Sequence, residues 1–124
     1  MNDQTLLLRQ VNPKFFENGQ VSSQAFFPFP KDDGKLSVYD SEQISVEDAY
    51  HHYTVDQQLA SVGVWAVNGA EVAAEGLTYH PDPVVGNEAH AVIDFDARSE
   101  KECRKLAKKL RSLAVARGSL YQAA

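Results

Sequence analysis

Four side chains stand out for the chemistry they could do: Arg9, Ser22, Ser23 and His90. Arg9 interrupts an otherwise apolar run over residues 5–11. A charge there must point out of the sheet or meet a carboxylate or a ligand anion, because a buried charge is costly unless paired. Ser22 and Ser23 offer hydroxyls able to orient an anion or a ribose. No base stands beside them in sequence, so a nucleophilic role has no local support. His90 follows Asn87-Glu-Ala and begins a strand-like run. An imidazole at a sheet edge can act as a general base when its second nitrogen is held by a partner. A guanidinium, two hydroxyls and an imidazole together would suit a phosphate, a carboxylate or a ribose. The competing structural expectation is an ion pair from Arg9 to Asp94 or Asp96, with His90 satisfied inside the fold.

The remaining candidates are weaker. His51 and His52 are adjacent, so on a helix they diverge by about 100° and cannot share a metal; a solvent-exposed pair is expected. His80 and His90 bracket Asp82 and Glu88, but the spacing matches no established metal site, so neither a metal nor another cofactor is expected. Cys103, on the apolar side of the last helix, reads as a small buried hydrophobe. The chain has no phosphate-cradling glycine loop, no Gly-x-Ser-x-Gly elbow and no His-Glu-x-x-His pair.

The elements that must position these groups follow from pattern. Residues 5–11 read as a buried strand ended by Asn12-Pro13. Asn18-Gly19 marks a turn, and residues 20–26 read as a second strand. The stretch 21–39 is dense in phenylalanine and proline, which suits an edge strand bending into a loop and makes either a pocket wall or a partner surface. Residues 31–34 form a turn by composition, and 36–39 a short alternating strand. Ser45 and Asp48 predict a helix start, with Val46, Ala49, Tyr50 and Tyr53 forming one apolar stripe over 46–54. Residues 61–67 read as a central strand closed by Asn68-Gly69. Residues 70–75 are ambiguous between helix and strand, and 78–83 read as a proline-set loop. The last strand covers 90–96. A long helix over 99–117 is capped by Ser99 and Glu102 and stopped by Gly118. Leu106, Leu110 and Leu113 should face the core from it, while Lys105 and Lys108 face water. The expected fold is α+β: a mainly antiparallel sheet of about five strands, a middle helix, and the long C-terminal amphipathic helix on one face. Because strands from the two chain ends often become neighbours in such sheets, Arg9 and His90 are expected to meet near Ser22 and Ser23.

Composition narrows the class. A chain of 124 residues reads as one domain able to bury a core without staples. One cysteine, with no partner for a disulfide, suits a reducing compartment, and no apolar stretch nears the roughly 18 residues needed to span a bilayer. A cytoplasmic protein is therefore expected. Through position 98 there are five basic against fifteen acidic residues; the rest carries seven basic and two acidic. An acidic body bearing one basic helix disfavours broad nucleic-acid binding.

The blocks Leu-Leu-Arg-Gln-Val-Asn-Pro, Ser-Ser-Gln-Ala-Phe, Leu-Ser-Val, Gly-Val-Trp-Ala-Val and the late His-Ala-Val-Ile give the chain a recognisable order. That order resembles a family of small uncharacterised bacterial proteins. The resemblance implies a bacterial origin and that Arg9, Ser22, Ser23 and His90 belong together; it implies no activity. A fold-level echo of compact ADP-ribosyltransferase-like toxins rests on a strand arginine and a downstream serine, without that cleft's Tyr-plus-Glu pattern. Two functions follow. One is an accessory or interaction protein, for instance beside a defence or toxin system, with a protein partner. The alternative is a small enzyme or ligand-binding domain for an anionic or nucleotide ligand, using Arg9, Ser22, Ser23 and His90. Convergence of those groups on one concavity favours the second; a contiguous exposed apolar patch favours the first.

Overall fold

The computed structural model describes residues 1–30 and 33–123. The chain opens with β1 (Leu6–Gln10), then a small hairpin of β2 (Phe16–Glu17) and β3 (Gln20–Val21). Asn18 and Gly19 turn that hairpin at φ of 53° and 76°, the left-handed pair that a tight two-residue turn requires. β4 (Lys35–Asp40) leads to α1 (Val46–His51), which Ser45 caps and which widens into a π-helical turn, His52–Asp56. β5 (Gly63–Asn68) runs directly into α2 (Gly69–Ala74), and β6 (Thr78–Pro81) is followed by β7 (His90–Asp94). The long α3 (Glu100–Arg117) precedes a final β8 (Tyr121–Gln122). Six strands make one sheet in the order β6-β7-β4-β1-β5-β8, and every pairing is antiparallel.

Alternation along the strands gives the sheet two unlike faces. On one, Leu7, Leu36, Val38, Trp65, Val67, Ala91 and Ile93 pack under Cys103, Ala107, Leu110 and Ala114 of α3, with Val72 of α2 and Phe26 alongside. The α3 positions recur at spacings of three and four, so one stripe of the helix is dry while Lys105 and Lys108 face solvent. Ser99 and Glu102 form the expected capping box, and Gly118 ends the helix at φ 95°. Leu110 is fully buried, whereas Leu106 and Leu113 flank the stripe and are only half-buried. On the other face, Leu8, Tyr39, Val64 and Ala66 pack with Ala49, Ile44, Val46, Tyr50 and Tyr53. Helix α1, about 9 Å long, lies against β1, β5 and β8.

The α+β expectation holds, with six strands where about five were expected. The differences lie where local signals were mixed. Only Gln20–Val21 of the expected 20–26 strand forms; Ser22 then caps a 3₁₀ turn, Ser23–Phe26. The ambiguous 70–75 stretch is helical because Asn68 and Glu71 make a capping box, so Asn68 starts a helix where a turn was expected. The expected loop over 78–83 contains β6, which is an edge strand, and Pro81 stands at its end where a missing donor costs little. The turn expected over 31–34 lies partly outside the described residues; Asp33 and Gly34 both take positive φ. Among the described residues, no helix is long and apolar enough to cross a membrane.

Candidate functional site

The two central strands part company halfway along. β1 and β4 share only the pairs Leu7↔Asp40 and Leu8↔Tyr39, while β1–β5 and β4–β7 each carry five register pairs. Beyond Leu8 the gap between β1 and β4 opens into a cleft of about 700 Å³. Leu8, Gln10, Ser37, Tyr39 and His90 line its sheet side, and Phe15, Phe29, Tyr53, Leu59 and Val84 supply apolar walls. At the point where the ladder stops, Arg9 takes over the bonding. Its Nη1 donates to the Ser37 carbonyl at 2.8 Å and its Nε to the Ala25 carbonyl at 2.7 Å. The guanidinium thus ties the 3₁₀ turn after Ser22 to β4, using both prongs of its fixed fork.

His90 stands opposite Tyr39 in the β4–β7 ladder, which makes it the diagonal neighbour of Ser37 on the same face. Its Nε2 lies 3.1 Å from the Ser37 hydroxyl. Its Nδ1 lies 2.8 Å from the Asp82 carbonyl oxygen and 3.3 Å from Asp82 Oδ2. A carbonyl can only accept, so Nδ1 carries the proton and donates to it. In the neutral ring Nε2 is then the acceptor, and the Ser37 hydroxyl donates to it. Asp82 is held in turn by its own N–H, which donates to the His90 carbonyl at 2.9 Å. Ser37 is exposed to the cleft and the His90 side chain is 19% exposed, so the pair is open to a ligand.

A second histidine makes similar bonds behind Tyr39, which lines the cleft. The Tyr39 hydroxyl donates to His52 Nδ1 at 2.8 Å, and His52 Nε2 donates to the Gly86 carbonyl at 2.9 Å. Burial, with Tyr53 and Asp56 adding negative charge nearby, pushes the Tyr39 hydroxyl up to about 12. The expected solvent-exposed histidine pair is therefore half realised. His51 is exposed, while His52 is half-buried and ties the π turn to the 82–88 loop.

Gln10 lies in the same wall and is 6% exposed. Its Oε1 accepts from Ser61 Oγ at 2.8 Å, while Nε2 is buried with no partner among the described residues. Turning the amide over satisfies Nε2 and orphans the carbonyl instead, since Ser61 can also donate to the Gly63 carbonyl. One polar end is left over either way.

Of the sequence candidates, Arg9 and His90 both line the cleft, but they do not adjoin each other: β4 lies between β1 and β7. The group between them is Ser37. Ser22 is spent as a cap, accepting from the Gln24 N–H at 3.2 Å, and lines a separate shallow depression with Lys14 and Glu17. Neither Ser22 nor Ser23 is among the cleft's described lining residues. Asp94, one expected partner for Arg9, accepts instead from the Asp96 N–H at 2.7 Å. Cys103 is buried under α3, and burial pushes its thiol pKa up, away from reactivity. Among the described residues, no group of three or more histidines, cysteines and carboxylates is placed to hold a metal. Sequence reading overlooked Ser37 and the Asp82 partnership. The alternation in Leu36-Ser-Val-Tyr39 does put Ser37 and Tyr39 on one face, but only the strand order brings β7 beside them. No family model, curated protein or solved structure matches this chain.

Proposed function

We propose that this protein is a ligand-binding domain whose site is the cleft between β1 and β4. Its ligand is a small, largely apolar molecule carrying one hydrogen-bonding head group. The observation that carries this reading is the Asp82–His90–Ser37 chain of hydrogen bonds ending at an exposed hydroxyl inside a cavity of about 700 Å³. That volume is within the range of small-molecule sites, and so is the mixture of apolar walls with a few convergent polar groups. Phe15, Phe29, Leu59 and Val84 favour an aliphatic or aromatic body, and Ser37 with Gln10 favours a carbonyl-type head. The test is a titration of isotope-labelled protein with hexanoate and hexanamide, followed by amide chemical shifts. Saturable shifts at Ser37, Tyr39 and His90, with Ser22 unmoved, are expected. Absence of saturable shifts around the cleft with either compound overturns the reading.

A protein partner is the second reading, and one observation favours it. Val84 and Leu59 line the cleft while 45% and 47% exposed, and Val55 and Val85 nearby in sequence are 54% and fully exposed. The His52–Gly86 hydrogen bond ties the segments that carry them together. An apolar rim of this kind suits an extended peptide laid across the mouth. Replacing Val55 and Val85, which are exposed and outside the cleft's described lining, by serine separates the two readings, because it should weaken a partner at the rim and leave hexanoate binding nearly unchanged.

A further inference from the structure

We infer that Ser37 is an acyl-accepting nucleophile, with His90 as its general base and Asp82 as the residue that holds the imidazole, and that the substrate class is esters of medium-length apolar acids. The inference rests on the cleft being a ligand site and adds the chemistry performed there. Three features support it together. The serine hydroxyl faces the cleft 3.1 Å from His90 Nε2, within reach for proton transfer. The tautomer is the productive one, because the Asp82 carbonyl fixes the proton on Nδ1 and leaves the Nε2 lone pair aimed at the serine. The Asp82 carboxylate, 3.3 Å from Nδ1, is placed to stabilise the imidazolium that forms when His90 takes the proton. Gln10 adds a buried amide end in the same wall that no described residue satisfies.

The step balances without a cofactor. Ser37 Oγ attacks the ester carbonyl carbon as its proton passes to His90 Nε2, forming a tetrahedral adduct. The bond from that carbon to the alkoxy oxygen then breaks, and His90 returns the proton to the departing alcohol. This leaves an acyl ester on Ser37. Water enters, gives a proton to His90 and attacks the acyl carbon; the carbon–Oγ bond breaks, Oγ regains the proton, and the carboxylic acid leaves. Phe15, Phe29 and Leu59 would hold the acyl chain, which favours butyryl and hexanoyl over acetyl esters.

The experiment uses two probes on the full chain: p-nitrophenyl hexanoate as substrate and diisopropyl fluorophosphate as a covalent label. The label should add once to the wild-type protein and map to the peptide containing Ser37. Ester hydrolysis should fall about 100-fold or more in Ser37→Ala and in His90→Gln. Asp82 acts as a positioning residue, so Asp82→Asn should lower kcat about tenfold with KM and Tm unchanged, because the backbone carbonyl still fixes the tautomer. Ser22→Ala should label and turn over like the wild type. Mapping the label in unmodified protein keeps the test independent of whether any variant folds. Hexanoate binding in the cleft with no label at Ser37 overturns the nucleophile and leaves the ligand site standing. Loss of both overturns both, and labelling at Ser22 or Ser23 overturns the assignment to Ser37.

Discussion

Truncating Arg9 tests the architecture that creates the cleft. The side chain donates to two backbone carbonyls, Ser37 at 2.8 Å and Ala25 at 2.7 Å, across the gap where the β1–β4 ladder has ended. Hydrogen bonds from a charged donor contribute about 1.5–3 kcal/mol each, and a buried acceptor stripped of its donor costs about 1–3 kcal/mol. The two carbonyls differ in what replaces the guanidinium. Ser37 borders the cleft, so water can reach its carbonyl once the side chain is gone, offsetting part of the loss. Ala25 is fully buried, so its carbonyl is harder to resolvate. The expected cost of Arg9→Ala is therefore about 2–4 kcal/mol, a fall in Tm of roughly 10 °C for a chain of this size. Arg9→Lys keeps the charge but not the planar fork, and should recover less than half of the loss. Urea denaturation followed by tryptophan fluorescence measures both variants, because Trp65 stands opposite Arg9 on β5. An unchanged midpoint in Arg9→Ala, with hexanoate binding abolished, would refute the clamp and make Arg9 a ligand contact.

Leu110→Ala should cost about 2–5 kcal/mol, since the side chain is fully buried beneath α3, while Lys108→Gln on the opposite side should stay within about 0.5 kcal/mol. Paired thermal melts check both. Gly63→Ala should detach the final strand, because a Cβ there would collide with the Tyr121 carbonyl oxygen; loss of protection of the Leu120 amide in hydrogen exchange reports it. Tyr39 should be among the last tyrosines to ionise in an alkaline absorbance titration. Its folded pKa, about 12, is above the usual 10. Its contribution to stability is therefore intact below pH 10 and is lost as pH rises from about 10 to about 12, by up to about 1.4 kcal/mol per pH unit. Tyr39→Phe should flatten that alkaline decline, and an unchanged decline refutes the assignment.

How much of this was legible in the sequence depends on the range of the signal. The helix α3 was readable because its cap, its apolar period and its stop glycine all lie within one continuous stretch. The strands β1, β4, β5 and β7 were readable from short apolar runs bounded by turn residues. The misses have two causes. Residues 20–26 look strand-like in composition, yet Ser22 prefers to cap the next turn, and that local hydrogen bond wins over propensity. Residues 78–83 look like a loop because of Pro81 and Pro83, yet an edge beside β7 tolerates Pro81 at the strand's end. The first was decided by a cap two residues long, the second by a strand that the local pattern does not name.

The site illustrates the same limit more sharply. His90 could be singled out from its place at the start of a strand, and Arg9 from its place within one, but the arrangement between them is set by strand order. Expecting the first and last strands to be neighbours puts Arg9 directly beside His90 and leaves the serine to come from the Ser22–Ser23 edge. The observed order inserts β4, and with it Ser37. Ser37 then inherits both neighbours through different atoms: its carbonyl accepts from Arg9, and its hydroxyl donates to His90. The same residue, two positions past the last β1–β4 pair, leaves a polar group facing the opening. A serine in a central strand is a poor packing choice, being smaller and more polar than the valine or isoleucine that such a strand favours. Here its neighbours Leu36 and Val38 are buried in the main core, so the strand is held from the opposite face and the serine is free to serve the cleft.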